Sequence, residues 1–350
     1  MKRKFLLSGI ALLLGIVFLS MSACGAKASL SFTSDWNSNN VQIGYKETAV
    51  YKVEHLESYK LENYDYTTTQ AVKDAVDMKF TDGVYTVTTK IEPKSNIPAK
   101  YTGDIVDSSV ESVLHITTEY SVKSHYKYGT KTEHDVYDDF VKTDAYFCLS
   151  NASYTPIYVL QENKYALLSV SNGVAEVSTT HFKREFMYSK EKYVINKLNV
   201  DTDKVTDYTE YKKYQFKTAI DNSELLFALR NVKIAEVDGT YTLPTITATY
   251  GTAMDLLVKR HEGATLNVPL TVNAGAEETH AIPTRIYAFS LNNNLTKGKT
   301  QIAYIQNKAT ETLEYKAHLV KYVAPLTAYG SFDDMGVMVY TLSSVTCEVV

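Results

Sequence analysis

Alternation of apolar and polar side chains with a period of two is the feature that most constrains this chain. Between residues 110 and 128, Val110, Leu114, Ile116, Tyr120, Val122, Tyr126 and Tyr128 share one parity, while Glu111, His115, Glu119, Lys123 and Lys127 share the other. Successive side chains of a strand point to opposite faces, so this stretch reads as antiparallel β structure with one face buried and one wet. It far exceeds the usual strand length of about 5 to 6 residues, which predicts either one long curved strand or a hairpin.

A second alternating stretch lies earlier in the chain. Among Val41, Ile43, Tyr45, Ala49, Tyr51 and Val53, only Glu47 interrupts the apolar face, and Gln42, Lys46, Thr48 and Lys52 fill the other. Further strands are expected over 84–91, 157–161, 174–188, 193–200, 208–216, 241–250, 266–272, 282–291, 300–305 and 335–345. Turn chemistry separates them at Asp82-Gly83, Asn172-Gly173, Asp238-Gly239 and Asn292-Asn293-Asn294. Helical spacing is confined to 71–78, to 224–229 behind the capping residues Asp221, Asn222 and Ser223, and to Met254, Leu257, Val258 and His261. The expected fold class is mainly β: long twisted antiparallel strands, half-barrel or sandwich-like, with a few short helices. No repeat with a period of 20 to 50 residues points to a solenoid or propeller.

The chain begins with Lys2, Arg3 and Lys4, followed by an apolar run over 5–19. That run is shorter than the roughly 20 residues needed to span a bilayer, and with its flanks it matches an export signal. The segment Met21-Ser22-Ala23-Cys24 resembles the lipobox of bacterial lipoproteins, in which signal peptidase II cleaves before a diacylglyceryl-modified cysteine. The resemblance implies that residues 1–23 are removed and that Cys24 becomes a lipidated N-terminus. Two acyl chains anchor a protein stably where one does not. Residues 24–40, rich in Ser and Asn, then form a flexible tether.

Cleavage at this point moves the formal charge from -4 to -7. Such an acidic body, with lysines interspersed among acids as in Lys190-Glu191-Lys192, lacks the clustered cations that nucleic acid demands. The length favours two lobes, 41–220 and 221–350, with a seam over 221–237. Tyrosine is abundant, 28 residues against 12 Phe and one Trp, which suits strands with one solvated face. Cys148 and Cys347 either pair as a disulfide, as an exported compartment permits, or remain as two free thiols.

No familiar reaction centre is present: G-x-S-x-G, P-loop, dinucleotide, H-E-x-x-H and C-x-x-C patterns are all missing. His115 and His125 share a strand parity, but unless that strand folds back they stand about 34 Å apart, and no metal set follows. Asp201, Asp203 and Asp207 lack the spacing of a calcium loop. The doublets Asp138-Asp139 and Asp333-Asp334 point to opposite faces, so neither forms a glycosidase pair by itself. The expectation is a membrane-anchored extracytoplasmic lipoprotein without cofactor, acting as a non-enzymatic binding or interaction module for an envelope protein, peptide, glycan or lipid. Its long strands are similar to the half-barrel of the LolA and LolB lipoprotein carriers, which implies the alternative of a carrier with a hydrophobic ligand in a groove. An envelope hydrolase is the third reading. Apolar faces packed against a second layer favour the module, and an empty groove of several hundred Å³ favours the carrier.

Overall fold

The computed structural model describes residues 43–101, 110–150, 153–189, 192–212, 220–221, 225–230, 234, 237–247, 252–291, 295, 300–314, 316–330 and 333–349. The segment expected as export signal, Cys24, the expected tether, Asn292 to Asn294 and about half of the expected 221–237 seam lie outside these residues.

The protein is mainly β. The chain forms β1 (Tyr45–Leu56), a small hairpin of β2 (Ser58–Leu61) and β3 (Tyr64–Thr67), and helix α1 (Gln70–Ala75). A meander of long strands follows: β4 (Val76–Pro93), β5 (Ser112–Tyr128), β6 (Asp135–Ser150), β7 (Ser153–Ser171), β8 (Val174–Tyr188), β9 (Lys192–Leu198) and β10 (Val205–Lys212). After β11 (Ile220–Asp221) and helix α2 (Leu225–Leu229) come β12 (Thr240–Thr247), β13 (Thr252–Val272), β14 (Glu277–Leu291), β15 (Gln301–Gln306), β16 (Leu319–Thr327) and β17 (Asp334–Val349).

One sheet runs β10-β9-β8-β7-β6-β5-β4-β1-β17-β16-β15-β14-β13-β12-β11, so β1 and β17 are neighbours at its middle. Their antiparallel ladder extends from Tyr45–Val349 to Leu56–Val337. At its far end β13 turns back on β17, pairing Thr271 with Ser344 and Val272 with Val345 in parallel. This closes β13 to β17 into a five-strand barrel, and β1 with β4 to β10 forms a wing attached to it. The wing curls far enough for Tyr329, just after β16, to donate its backbone N–H to Leu168 O of β7 at 2.7 Å.

The long alternating stretch is a single strand, β5, paired with β4 on one side and β6 on the other. Bulges accommodate its length. Asp82-Gly83, expected as a turn, is a register shift within β4, and a Cβ on Gly83 would lie 2.3 Å from Val53 O. The helix expected around Met254 to His261 is instead part of β13, and the one expected over 71–78 gives way to β4 at Val76. β6 and β16 have no counterpart among the expected strands.

The core lies on the face shared by β1, the barrel and the wing. Helix α2 is its centrepiece. Leu229 packs with Leu256, Val258, Phe289, Ile305 and Leu342 of the barrel, and Phe227 packs with Ile91, Leu114, Phe147, Val159 and Phe186 of the wing. Burying one such side chain contributes about 1.5 to 3 kcal/mol. On the opposite face of the barrel, Tyr64 and Tyr66 of the hairpin cover Ile286, Ala288, Tyr304 and Val337. Many of the described tyrosines, such as Tyr45, Tyr66, Tyr158, Tyr193 and Tyr287, are core residues. The rings of Tyr85, Tyr120 and Tyr322 gather around Tyr340 with centroids 5.1 to 5.9 Å from it, and among the described residues Tyr208 and Tyr329 are the tyrosines with large exposed side chains.

Candidate functional site

Glu47 is the polar interruption on the buried face of β1, and a carboxylate in that position requires a compensating charge. Arg230, immediately after α2, supplies it. Its Nη1 donates to Glu47 Oε1 at 2.6 Å and its Nη2 to Oε2 at 3.1 Å, a bidentate pair in which both side chains are buried. Arg230 also donates through Nε to Ala317 O at 3.1 Å and through Nη2 to Lys316 O at 2.9 Å. Tyr45 donates its hydroxyl to Glu47 Oε2 at 3.1 Å. Cys347, directly opposite Glu47 on β17, has its Sγ 3.9 Å from that hydroxyl, and His318 Nδ1 lies 3.6 Å from Oε2. The centre joins β1, β17, the segment before β16 and α2.

Electrostatics fix the protonation states. Burial acts to raise the Glu47 carboxyl, but the charge of Arg230, with His318 and the hydrogen bonds, outweighs it and holds the group at about 2. Burial pushes His318 down to about 4 despite Glu47, with Arg230 and Lys316 adding to the effect. Burial, then the neighbouring carboxylate, pushes the Cys347 thiol up. At neutral pH the centre is an ion pair flanked by a neutral imidazole and a protonated thiol. That is not the thiolate of an activated nucleophile.

Ligand atoms of Glu47, His318 and Cys347 all lie within 4.8 Å of one another, a donor set that zinc accepts. The residues do not fit a metal, because Arg230 holds both carboxylate oxygens and places its own positive charge at the ligand. Beside this centre, Tyr85, Val87, Ile116, Leu226, Phe227 and Leu319 line a cleft between α2 and the sheet. The cavity left in it is about 20 Å³, room for about one water.

The residues singled out from sequence are dispersed. Cys24 lies outside the described residues. Cys148 and Cys347 lie in separate clusters and are not joined by a disulfide, Cys148 packing among Val113, Tyr146 and Ile157. His115 is bracketed by Glu92 (Nδ1 to Oε2, 3.0 Å) and Asp144 (Nε2 to Oδ1, 2.6 Å) and stacks on Tyr146. His125 meets Thr81 Oγ1 at 2.9 Å, and since β5 does not fold back the two histidines stay far apart. Asp139 accepts from Ser124 Oγ and Ala166 N, while Asp203, in the turn between β9 and β10, pairs with Lys183 of β8, and Asp207 of β10 pairs with Lys197 of β9. Sequence reasoning missed Arg230 and His318. The available signal was Glu47 itself, a buried acid in need of a cation.

On the outside, an open hollow of about 350 Å³ lies where β9 leaves β8, lined by His181, Lys183, Arg184, Lys197, Asn199 and Thr206 among others. Neither a family model nor a curated protein matches the sequence. A crystal structure of a β-barrel-like protein of a domain of unknown function from Brucella abortus is similar over 88% of this chain and 100% of its own, at 7% identity and a TM-score of 0.43.

Proposed function

We propose that the chain is an extracytoplasmic lipoprotein, anchored through lipidated Cys24, that works as a non-enzymatic binding module and meets its envelope partner with its outer surface. The observation that carries this reading is the filled interior. Among the described residues the apolar faces of barrel and wing pack on the chain's own α2, the cavity beside α2 is about 20 Å³, far below the roughly 300 to 1,000 Å³ of a small-molecule site, and the larger outer hollow is lined mainly by polar and charged side chains rather than by an apolar groove. A carrier would have to expel α2, and with it Arg230 from Glu47, to admit an acyl chain.

Native mass spectrometry of the full chain extracted from membranes in detergent tests both parts. The expected mass is that of the chain from Cys24 plus its lipid, or a whole multiple of it, with no further ligand, and Cys24→Ala is expected to leave the membrane fraction. A stoichiometric apolar ligand would replace this reading with the carrier. Retention of Cys24→Ala in the membrane would remove the anchor.

A further inference from the structure

β8 carries one open edge. It pairs with β7 from Val174–Ser171 to Met187–Tyr158, whereas β9 covers it only from Lys183 to Tyr188. No described strand pairs with the outer edge of residues 174–182. Asn172 and Gly173 have φ of 51° and 78°, the two positive values of a two-residue hairpin turn, so Ser171 and Val174 form its closing hydrogen-bonded pair. Hydrogen-bonded pairs alternate along an antiparallel ladder. Even-numbered residues of β8 therefore bond to β7, and Ala175, Val177, Thr179 and His181 direct their N–H and C=O groups outward. The bond from Ser189 N to Lys192 O confirms that odd-numbered residues face β9.

Natural edge strands are blunted by charge or proline. The outer strand β10 follows this rule with Asp207 and Glu210, but residues 174–182 contain one acid, Glu176, no lysine or arginine, and no proline. We propose that this edge pairs with the same edge of a second copy of the chain, antiparallel about a two-fold axis at Ser178. That register uses all nine residues: Ala175 faces His181 and Val177 faces Thr179 as hydrogen-bonded pairs, each occurring twice. Glu176 faces Thr180, Val174 faces Phe182, and Ser178 faces its own copy, so no like charges meet. The polar tip Asn172-Gly173 of each copy then runs past Phe182 of the other into the hollow beside β9. The hollow and the open edge become parts of one interface.

Disulfide trapping in the full chain tests the register. Ser178→Cys places two thiols at a non-hydrogen-bonded pair with Cα atoms about 4.5 Å apart, within disulfide reach. Dimer formation under mild oxidation is expected to be about tenfold faster than for Thr209→Cys on β10, because pre-association makes the reaction intramolecular. Adding Thr179→Pro removes an outward N–H that the single chain does not use, and is expected to abolish the excess with an unchanged circular dichroism spectrum. Thr180→Glu, opposite Glu176, is expected to slow trapping, and Thr180→Lys to speed it. Equal rates at positions 178 and 209, or indifference to the charge at 180, would overturn the proposal. So would exchange-protected edge amides in a strictly monomeric protein, which would place the chain's own residues there, or an edge that pairs only with a different protein.

Discussion

At the scale of single residues, the account rests on Glu47. Arg230→Ala is expected to cost about 3 to 5 kcal/mol at pH 7, because it strands a buried carboxylate. The depressed Glu47 carboxyl contributes stability that is fully present above its ordinary value of 4.5 and lost as pH falls toward 2. The gap between wild type and Arg230→Ala in denaturant titrations should therefore narrow across that window. His318 has the same sign in a different window: its folded value of about 4 lies below the ordinary 6.5, so the unfolded chain binds the extra proton and stability falls as pH drops from 6.5 to 4. His318→Gln should flatten the stability profile there. Glu47 was legible in sequence as a break in an apolar stripe, but Arg230 was not. The two are 183 positions apart, and nothing local in either segment specifies the other.

At the scale of elements, alternation reveals only strands with one covered face. β8 matches its expected limits, 174–188, because its outer residues stay wet along much of its length. β6 was invisible because Ala145, Tyr146, Phe147 and Cys148 are all buried, one face against the core cluster of Phe227 and the other in a cluster with Ile157 and Tyr158 that Ile97 and Tyr101 cover. Burial on both faces erases the period-two signal. The second half of β13 matches the strand expected over 266–272, but its first half reads as helix in the sequence because Met254, Leu257, Val258 and His261 fall at helical spacing by chance within a long strand. The bulge at Asp82-Gly83 uses residues that more often mark a turn. Gly83→Ala is expected to destabilise the protein by about 1 to 3 kcal/mol, since its Cβ would press on Val53 O and the ladder there would have to shift. Thermal denaturation checks this, with Gly173→Ala as a comparison in which no atom lies within 4 Å of the new Cβ, so that its cost comes only from the positive φ.

At the scale of the whole molecule, a closed barrel and a curled wing share one sheet, and α2 fills the face between them. The packed interior among the described residues, together with the anchor proposed at Cys24, favours recognition at the surface. The most direct measurement of that claim is titration of the full chain with a fluorescent fatty acid, comparing wild type with Phe227→Ala. No saturable uptake is expected by the wild type, and none by the variant either, because a cavity the size of one side chain admits a small apolar molecule but not an acyl chain while α2 stays in place. Saturable one-to-one uptake by the wild type would contradict it.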